Sequence, residues 1–260
     1  MNFDLAGKRV LVSAGGSGIG RAIVKGFVAQ GARVVTCDIN SDFVDDLKTA
    51  MPNVMAEVVD VGDETAVHDF CSAAIDHLGG LDCLINNAGI AGPTLPLEEI
   101  DATDWNACLN VCLNSQFYFS KACIPSLRES GDASITNLSS AAGKHGFAYR
   151  TPYAAAKWGV IGLTKSLAIE LGADKIRVNA ILPGLVAGDR QRNVLSAKAQ
   201  RLGKSYDEVE QDAFSYTSIK DYVTAQDIAD QIMYLASPPG RRISGQAIAV
   251  DGDTKCWPEF

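Results

Sequence analysis

"VSAGGSGIG", Val12 to Gly20, sets four glycines in nine positions directly behind the apolar run "RVLV". A strand that turns through glycines into a helix leaves unpaired amide groups at the positive end of the helix dipole, a seat for phosphate. Glycine also lets a diphosphate approach where a Cβ would collide. The spacing is not G-x-G-x-x-G. Counted from Gly16 the third glycine position holds Arg21, and counted from Gly18 it holds Ile23. The stretch predicts a strand–loop–helix unit at the head of a nucleotide-binding fold, and leaves the nucleotide to be decided by its surroundings.

The same alternation runs through the chain. "KRVLVS", "RVVTCD", "VMAEVVDV", "DCLINNAG", "ASITNLSS", "IRVNAIL" and "GQAIAVDG" read as strands. Helical patterns lie between them: from Gly18 to "QGA", over Ser41 to Ala50, from Asp63 to Leu78, from Thr103 or Asp104 to about Ser130, from about Pro152 to Gly172, and over "TAQDIADQIMYLAS". Strands rich in Val and Ile without clean alternation are buried on both faces, as in a parallel sheet. Strand–helix repeats give right-handed crossovers. The expectation is an α/β, Rossmann-type, doubly wound parallel sheet with helices on both faces, one domain over residues 1–260. Residues 187–222, polar and helix-prone, interrupt the rhythm after the sixth strand. An insertion there sits over the ligand crevice and reads as a substrate lid, the alternative being a surface decoration.

Asp38 ends the second strand, eighteen residues after Gly20. There a carboxylate can accept hydrogen bonds from both adenosine ribose hydroxyls and repel the extra phosphate of NADP, so the cofactor reads as NAD. The alternative is that Asp38 only caps the turn before Asn40 and Ser41. The formal net charge of −8 argues against nucleic acid and anionic membranes as partners and leaves a small-molecule substrate. The seven cysteines include no C-x-x-C pair and sit mostly in apolar segments, so we expect reduced thiols, a cytoplasmic protein and no metal. No signal peptide and no run of membrane-spanning length is found.

Tyr153 and Lys157, four apart on a predicted helix, share one face. A free tyrosine titrates near ~10, and bringing it to ~7 takes roughly 4 kcal/mol of preferential phenolate stabilisation, from the lysine and a cationic nicotinamide together. Tyr153 could then take the proton of a substrate hydroxyl while hydride leaves the same carbon.

In these residues the chain resembles the short-chain dehydrogenase/reductase family, in order and over its whole length. The glycine loop is similar to T-G-x-x-x-G-x-G, with Ser13 for the threonine and Ala14 for the first glycine. "DV" at Asp60 and Val61, "NNAG" at Asn86 to Gly89, "NLSS" followed thirteen residues after Ser140 by Tyr153 of "YAAAK", "PG" at Pro183 and Gly184, and "SGQAIAVDG" complete the series. The resemblance implies catalytic Ser140, Tyr153, Lys157 and Cys112. It implies a cofactor site of Ser13, Gly15, Ser17, Gly18, Ile19, Gly20, Asp38, Ile39, Asp60, Val61, Asn87, Ala88, Gly89, Tyr153, Lys157, Pro183, Gly184 and Val186.

Three departures stand out. Ala14 adds a methyl group near the diphosphate and is tolerable if its backbone angles are ordinary. Cys112 falls where the family has an asparagine whose main-chain carbonyl anchors a proton-relaying water; a cysteine keeps the carbonyl, so the relay is expected to survive. Gly188 stands where a threonine often meets the nicotinamide amide, leaving backbone contacts from Val186. Asn110 and Asn114 do not match the asparagine position.

For the substrate, Ser140 and Tyr153 at the reacting oxygen are joined by His145, Arg150, Arg190 and Arg192. Arginine forks suit carboxylates and phosphates, so a small polar alcohol or ketone, anionic or sugar-like, is expected; loop arginines that are merely solvated are the alternative. Trp257 and Phe260 in the tail suggest a subunit interface, and the family implies a homotetramer. Competing functions are an epimerase or dehydratase using the same tyrosine and lysine, and an NAD(H)-binding redox sensor without turnover.

Overall fold

The structure is a computed structural model and describes residues 2–255. Seven strands form one parallel sheet in the order β3-β2-β1-β4-β5-β6-β7. They are β1 (Arg9–Val12), β2 (Arg33–Asp38), β3 (Met55–Val58), β4 (Cys83–Asn86), β5 (Ala133–Leu138), β6 (Ile176–Pro183) and β7 (Ala247–Val250). The chain winds outward from β1 to β3, returns across β1 and continues from β4 to β7. That reversal opens a crevice between the carboxyl ends of β1 and β4, where such sheets bind ligands.

Alternate strand residues feed two cores. Val10, Val12, Cys83 and Ile85 face a layer holding α1 (Gly18–Ala29), α2 (Ser41–Ala50) and α9 (Ala225–Ala236), with Phe27, Leu47 and Ile232 fully buried. Leu11 and Leu84 face α3 (Glu64–Leu78), α5 (Ser115–Ser130) and α6 (Thr151–Glu170), through Phe70, Phe119 and Leu167. The doubly wound expectation holds in strand order and in both helix layers.

The helix expected from Thr103 or Asp104 to Ser130 runs unbroken from Ala102, with a π turn inside it. It runs as α4 (Ala102–Leu109), a π-helical turn over Asn110–Asn114, and α5. The wide turn is stitched by side chains: Ser115 Oγ donates to the Val111 carbonyl at 2.7 Å and Asn110 Nδ2 to the Gly62 carbonyl at 2.8 Å. Single π turns tend to mark functional sites, and this one holds the buried Cys112.

After β6 come α7 (Asp189–Leu202) and α8 (Tyr206–Ser215). They pack on each other through Leu195, Ala199, Val209 and Ala213, with Leu185 beneath, as a cluster separate from both sheet cores. Two isolated bridges, Val186 to Val223 and Thr217 to Thr254, pin the segment's base. No helix of the described residues is long and apolar enough to cross a membrane, and no metal-ligating cluster occurs among them. The six described cysteines are free and buried. Trp257 and Phe260 lie outside the described residues.

Candidate active site

A cleft of about 480 Å³ opens at the switch point, lined by the loops that follow β1, β4, β5 and β6 and by α7. On its β1 side the glycines are required by contact. A Cβ on Gly20 would lie 2.0 Å from the Ala14 carbonyl oxygen, one on Gly15 would lie 2.1 Å from Thr36 Oγ1, and one on Gly16 would lie 2.8 Å from Asp38 Oδ2. The first turn of α1 carries no acidic residue, and its N-cap Ser17 makes no side-chain cap, so the leading amides keep their positive end for a ligand. Ser17, Gly18, Ile19 and Gly20 line the cleft. These residues fit a dinucleotide diphosphate.

Ala14 has φ +53°, left-handed backbone rather than the ordinary angles its side chain prefers. It is held there because its carbonyl accepts from Asn87 Nδ2 at 2.9 Å while Gly15 N donates to the Cys37 carbonyl at 2.9 Å. Gly188, at φ +141°, could not take a threonine without strain.

Asp38 makes the turn contact that the second reading of it expects. Its Oδ2 accepts from Gly16 N at 3.0 Å and its Oδ1 from Asn40 N at 3.1 Å, so it caps the turn and braces the glycine loop. Ile39 beyond it is exposed. Asp60 accepts from Gly62 N at 2.8 Å, and Val61 is buried beside it. Ser13 and Ala88 serve the loop from behind: the Ser13 hydroxyl accepts from Asn87 N at 2.9 Å and Ala88 N at 3.1 Å, tying β1 to β4. Asn87 and Gly89 line the cleft, as do Pro183, Gly184 and Val186.

The catalytic helix is set against β5. Ser139 Oγ donates to the Lys157 carbonyl at 2.8 Å, and a Cβ on Gly143 would sit 2.3 Å from Ser139 Oγ. Pro152 starts α6, whose buried face runs through Tyr153, Ala156, Lys157 and Val160 at helical spacing. Tyr153 and Lys157 both face the cleft, with Lys157 Nζ 5.6 Å from the phenol ring centre. Burial alone would raise the Tyr153 pKa. The charges of Lys157, Arg190 and Arg150 and the Ser140 hydrogen bond outweigh it, so the phenol lies below its ordinary value.

Cys112 enters from the π turn. Its Sγ meets the Ile90 amide and carbonyl, each at 3.4 Å. The hydrogen bond from Cys108 lowers its pKa most, burial opposes, and the charge of Lys157 adds to the lowering. Its carbonyl is already engaged: Gln116 Nε2 donates to Cys112 O at 3.3 Å and to Leu138 O at 3.1 Å. Gln116 is buried and was not singled out from sequence; the only signal was a polar side chain one turn after Cys112.

Arg150 and Arg190 reach the cleft, with guanidinium carbons 4.3 and 5.9 Å from the Tyr153 ring centre. Two expected substrate residues do not. Arg192 is exposed and held by Asp189, three residues before it on α7. His145 turns its Nε2 to the Thr254 carbonyl at 3.0 Å, tying the β5 loop to the C-terminal segment.

The comparisons with known proteins agree with this geometry. The family described as "Enoyl-(Acyl carrier protein) reductase" matches residues 13–253. A probable galactose dehydrogenase, GalD, from Rhizobium meliloti (strain 1021) is 35% identical over 254 residues, covering 96% of this chain and 95% of its own. Levodione reductase from Leifsonia aquatica is 30% identical over 249 residues, covering 94% and 92%. The crystal structure of levodione reductase superposes with a TM-score of 0.87 at 30% identity, over 95% of this chain and 97% of that one. A glycine loop at the switch point, a charge-tuned tyrosine beside it and full-length relatives of that type make this chain an oxidoreductase of the short-chain dehydrogenase/reductase family, whose substrates are alcohols and ketones and whose cofactor is a nicotinamide dinucleotide.

Proposed function

We propose that the protein is an NAD-dependent dehydrogenase or ketone reductase for a small polar alcohol or ketone, anionic or sugar-like, with Tyr153 as general acid and base. The observation that carries this is a buried phenol facing the cleft with Ser140, Lys157, Arg150 and Arg190 around it, whose charges hold its pKa below the ordinary value. In oxidation Tyr153 accepts the substrate hydroxyl proton as phenolate, and Ser140 donates a hydrogen bond to the same oxygen. Lys157 keeps the phenolate favourable. When bound, the nicotinamide accepts or returns the hydride at the carbinol carbon.

Asp38 supports NAD over NADP, since its carboxylate stands at the end of β2 and repels a second phosphate. Arg21, in the first turn of α1, is already paired with Asp46 at 2.6 Å. The 187–222 segment is read as the lid of a single catalytic domain, with α7 against the cleft. The homotetramer implied by the family is supported by Phe117 on α5 and Trp158 and Ile169 on α6, large apolar side chains left exposed on two helices.

The test is cofactor reduction with NAD or NADP over a panel of polyols, sugars and hydroxy acids. Turnover with NAD in the parent, falling about 100-fold or more in Tyr153→Phe, is the expected result. Product without net reduced cofactor would select an epimerase or dehydratase, and cofactor binding with neither a sensor.

A further inference from the structure

Out of a chain of net charge −8 the cleft collects positive charge. Arg150, Lys157, Arg190, Lys198 and Arg201 line it, against one carboxylate, Asp189. The Asp189 side chain is 89% exposed and already paired with Arg192, so it neutralises little inside. Lys157 Nζ is held by the Leu138 carbonyl at 2.7 Å, and Arg190 donates to the Gly89 carbonyl at 3.1 Å, both at the catalytic end. Arg150 and Arg201 each keep one guanidinium nitrogen buried and unsatisfied.

Arg150 is only 7% exposed. Its NH2 donates to the Ala91 carbonyl at 2.6 Å and its plane stacks on Tyr153, yet its Nε is buried with no hydrogen-bond partner. Arg201 repeats the pattern. Its guanidinium carbon lies 3.5 Å from the Tyr149 ring centre, and its NH1 is buried and unpartnered. Lys198, three residues earlier on the cleft-facing side of α7, has its pKa lowered by burial and by Arg201, with Asp212 opposing. Tyr149, which carries the Arg201 stack, holds φ +64°, a strained angle for a tyrosine, and is followed directly by Arg150. Among the described residues no carboxylate is ion-paired with Arg150 or Arg201. Buried cations are normally paired, and orphaned donors are rare unless something else completes them.

We propose that Arg150, Lys198 and Arg201 form an oxyanion-binding subsite, so that the alcohol oxidised by this enzyme carries a carboxylate or phosphate group away from its carbinol carbon. This rests on the oxidoreductase reading and deepens it. Planar guanidinium forks recognise either group, and the stacking on Tyr149 and Tyr153 holds them pre-oriented. The diphosphate of the cofactor is seated elsewhere, at the glycine loop, so saturating that loop leaves the subsite open to a probe.

The experiment is isothermal titration of the full-length protein, saturated with NAD, with butyrate, glutarate and glycerol 3-phosphate, against butyramide, glutaramide and glycerol. At least one of the anions is expected to bind ten-fold or more tightly than its neutral partner, and the better of glutarate and glycerol 3-phosphate identifies the group. Arg201→Gln and Lys198→Met, two separate changes on a half-buried helix face, should each weaken that anion ten-fold or more and leave NAD affinity unchanged. Equal affinity for acids and their neutral partners, or anion binding untouched in both variants, would overturn the subsite. The readout does not depend on turnover. Anion binding retained in a protein that oxidises no alcohol would sink the dehydrogenase reading alone, and turnover of neutral alcohols without anion binding would sink the subsite alone.

Discussion

Lys157 Nζ donates to the Leu138 carbonyl at 2.7 Å, and that same oxygen accepts from Gln116 Nε2 at 3.1 Å. The end of β5, the π turn and the catalytic helix therefore meet on one acceptor. The carbonyl of Cys112, expected to anchor a relaying water, also accepts from Gln116 at 3.3 Å.

Gln116→Leu removes both donations and leaves Cys112 O and Leu138 O poorly satisfied in the interior. The expected cost is about 2 kcal/mol of stability. Because Leu138 O then turns to Lys157 alone, the acid limb of the oxidation rate should also move. Denaturant midpoints and pH–rate profiles on the same variant check the two effects; an unchanged profile with lowered stability would leave Gln116 a purely structural residue.

Oxidation needs the phenolate, so its rate rises with pH through the Tyr153 pKa, which lies below the ordinary tyrosine value. Arg190 is one of the charges holding it down. Arg190→Ala should shift the rising limb of kcat/KM upward by about one pH unit. Reduction, which needs the protonated phenol, should gain range at high pH in the same variant.

Ala14→Gly relieves a left-handed alanine beside the diphosphate loop. The strain removed, about 1 kcal/mol, exceeds the extra backbone entropy of glycine by only a little, so a gain of about 0.5 kcal/mol is expected. NAD should bind more tightly as the methyl group leaves. Thermal unfolding with and without NAD measures both. Gly20→Ala is the opposite case: its Cβ would meet backbone oxygen at 2.0 Å, and cofactor binding should be lost.

At the opposite end of the sheet, Asp82 accepts from Arg9 N at 2.9 Å, Arg9 Nε at 3.0 Å, Arg9 NH2 at 2.7 Å and Ser130 Oγ at 2.6 Å. Burial pushes its pKa up, but these bonds and the Arg9 charge win, lowering it from 3.8 to about 2. A carboxylate depressed on folding adds stability that is fully present above its unfolded pKa and is lost as pH falls through the folded one. Asp82→Asn should cost about 2 kcal/mol at neutral pH, and the gap to the parent should close on acidification from pH ~5 to ~2.

The fold and the centre of the site were legible because they rest on local spacing. Glycines behind a strand, Asp38 at the next strand end, and Ser140, Tyr153 and Lys157 at short, fixed intervals are set by one or two elements each. What escaped depends on packing between distant elements. The Ala14 backbone angle is imposed by Asn87, seventy-three residues away. Gln116 reaches its carbonyls only because a π turn rotates the helix. Arg192 and Arg201 lie on one helix, and the sequence offered no reason to prefer the second; the orientation of α7 decided it.

The cluster of Leu195, Ala199, Val209 and Ala213 gives α7 and α8 an interior of their own. A side chain exchanged on α7 beyond Arg190 therefore disturbs neither sheet layer. The Tyr153 phenol and this helix pair thus rest on different interiors, so loosening one leaves the packing of the other in place.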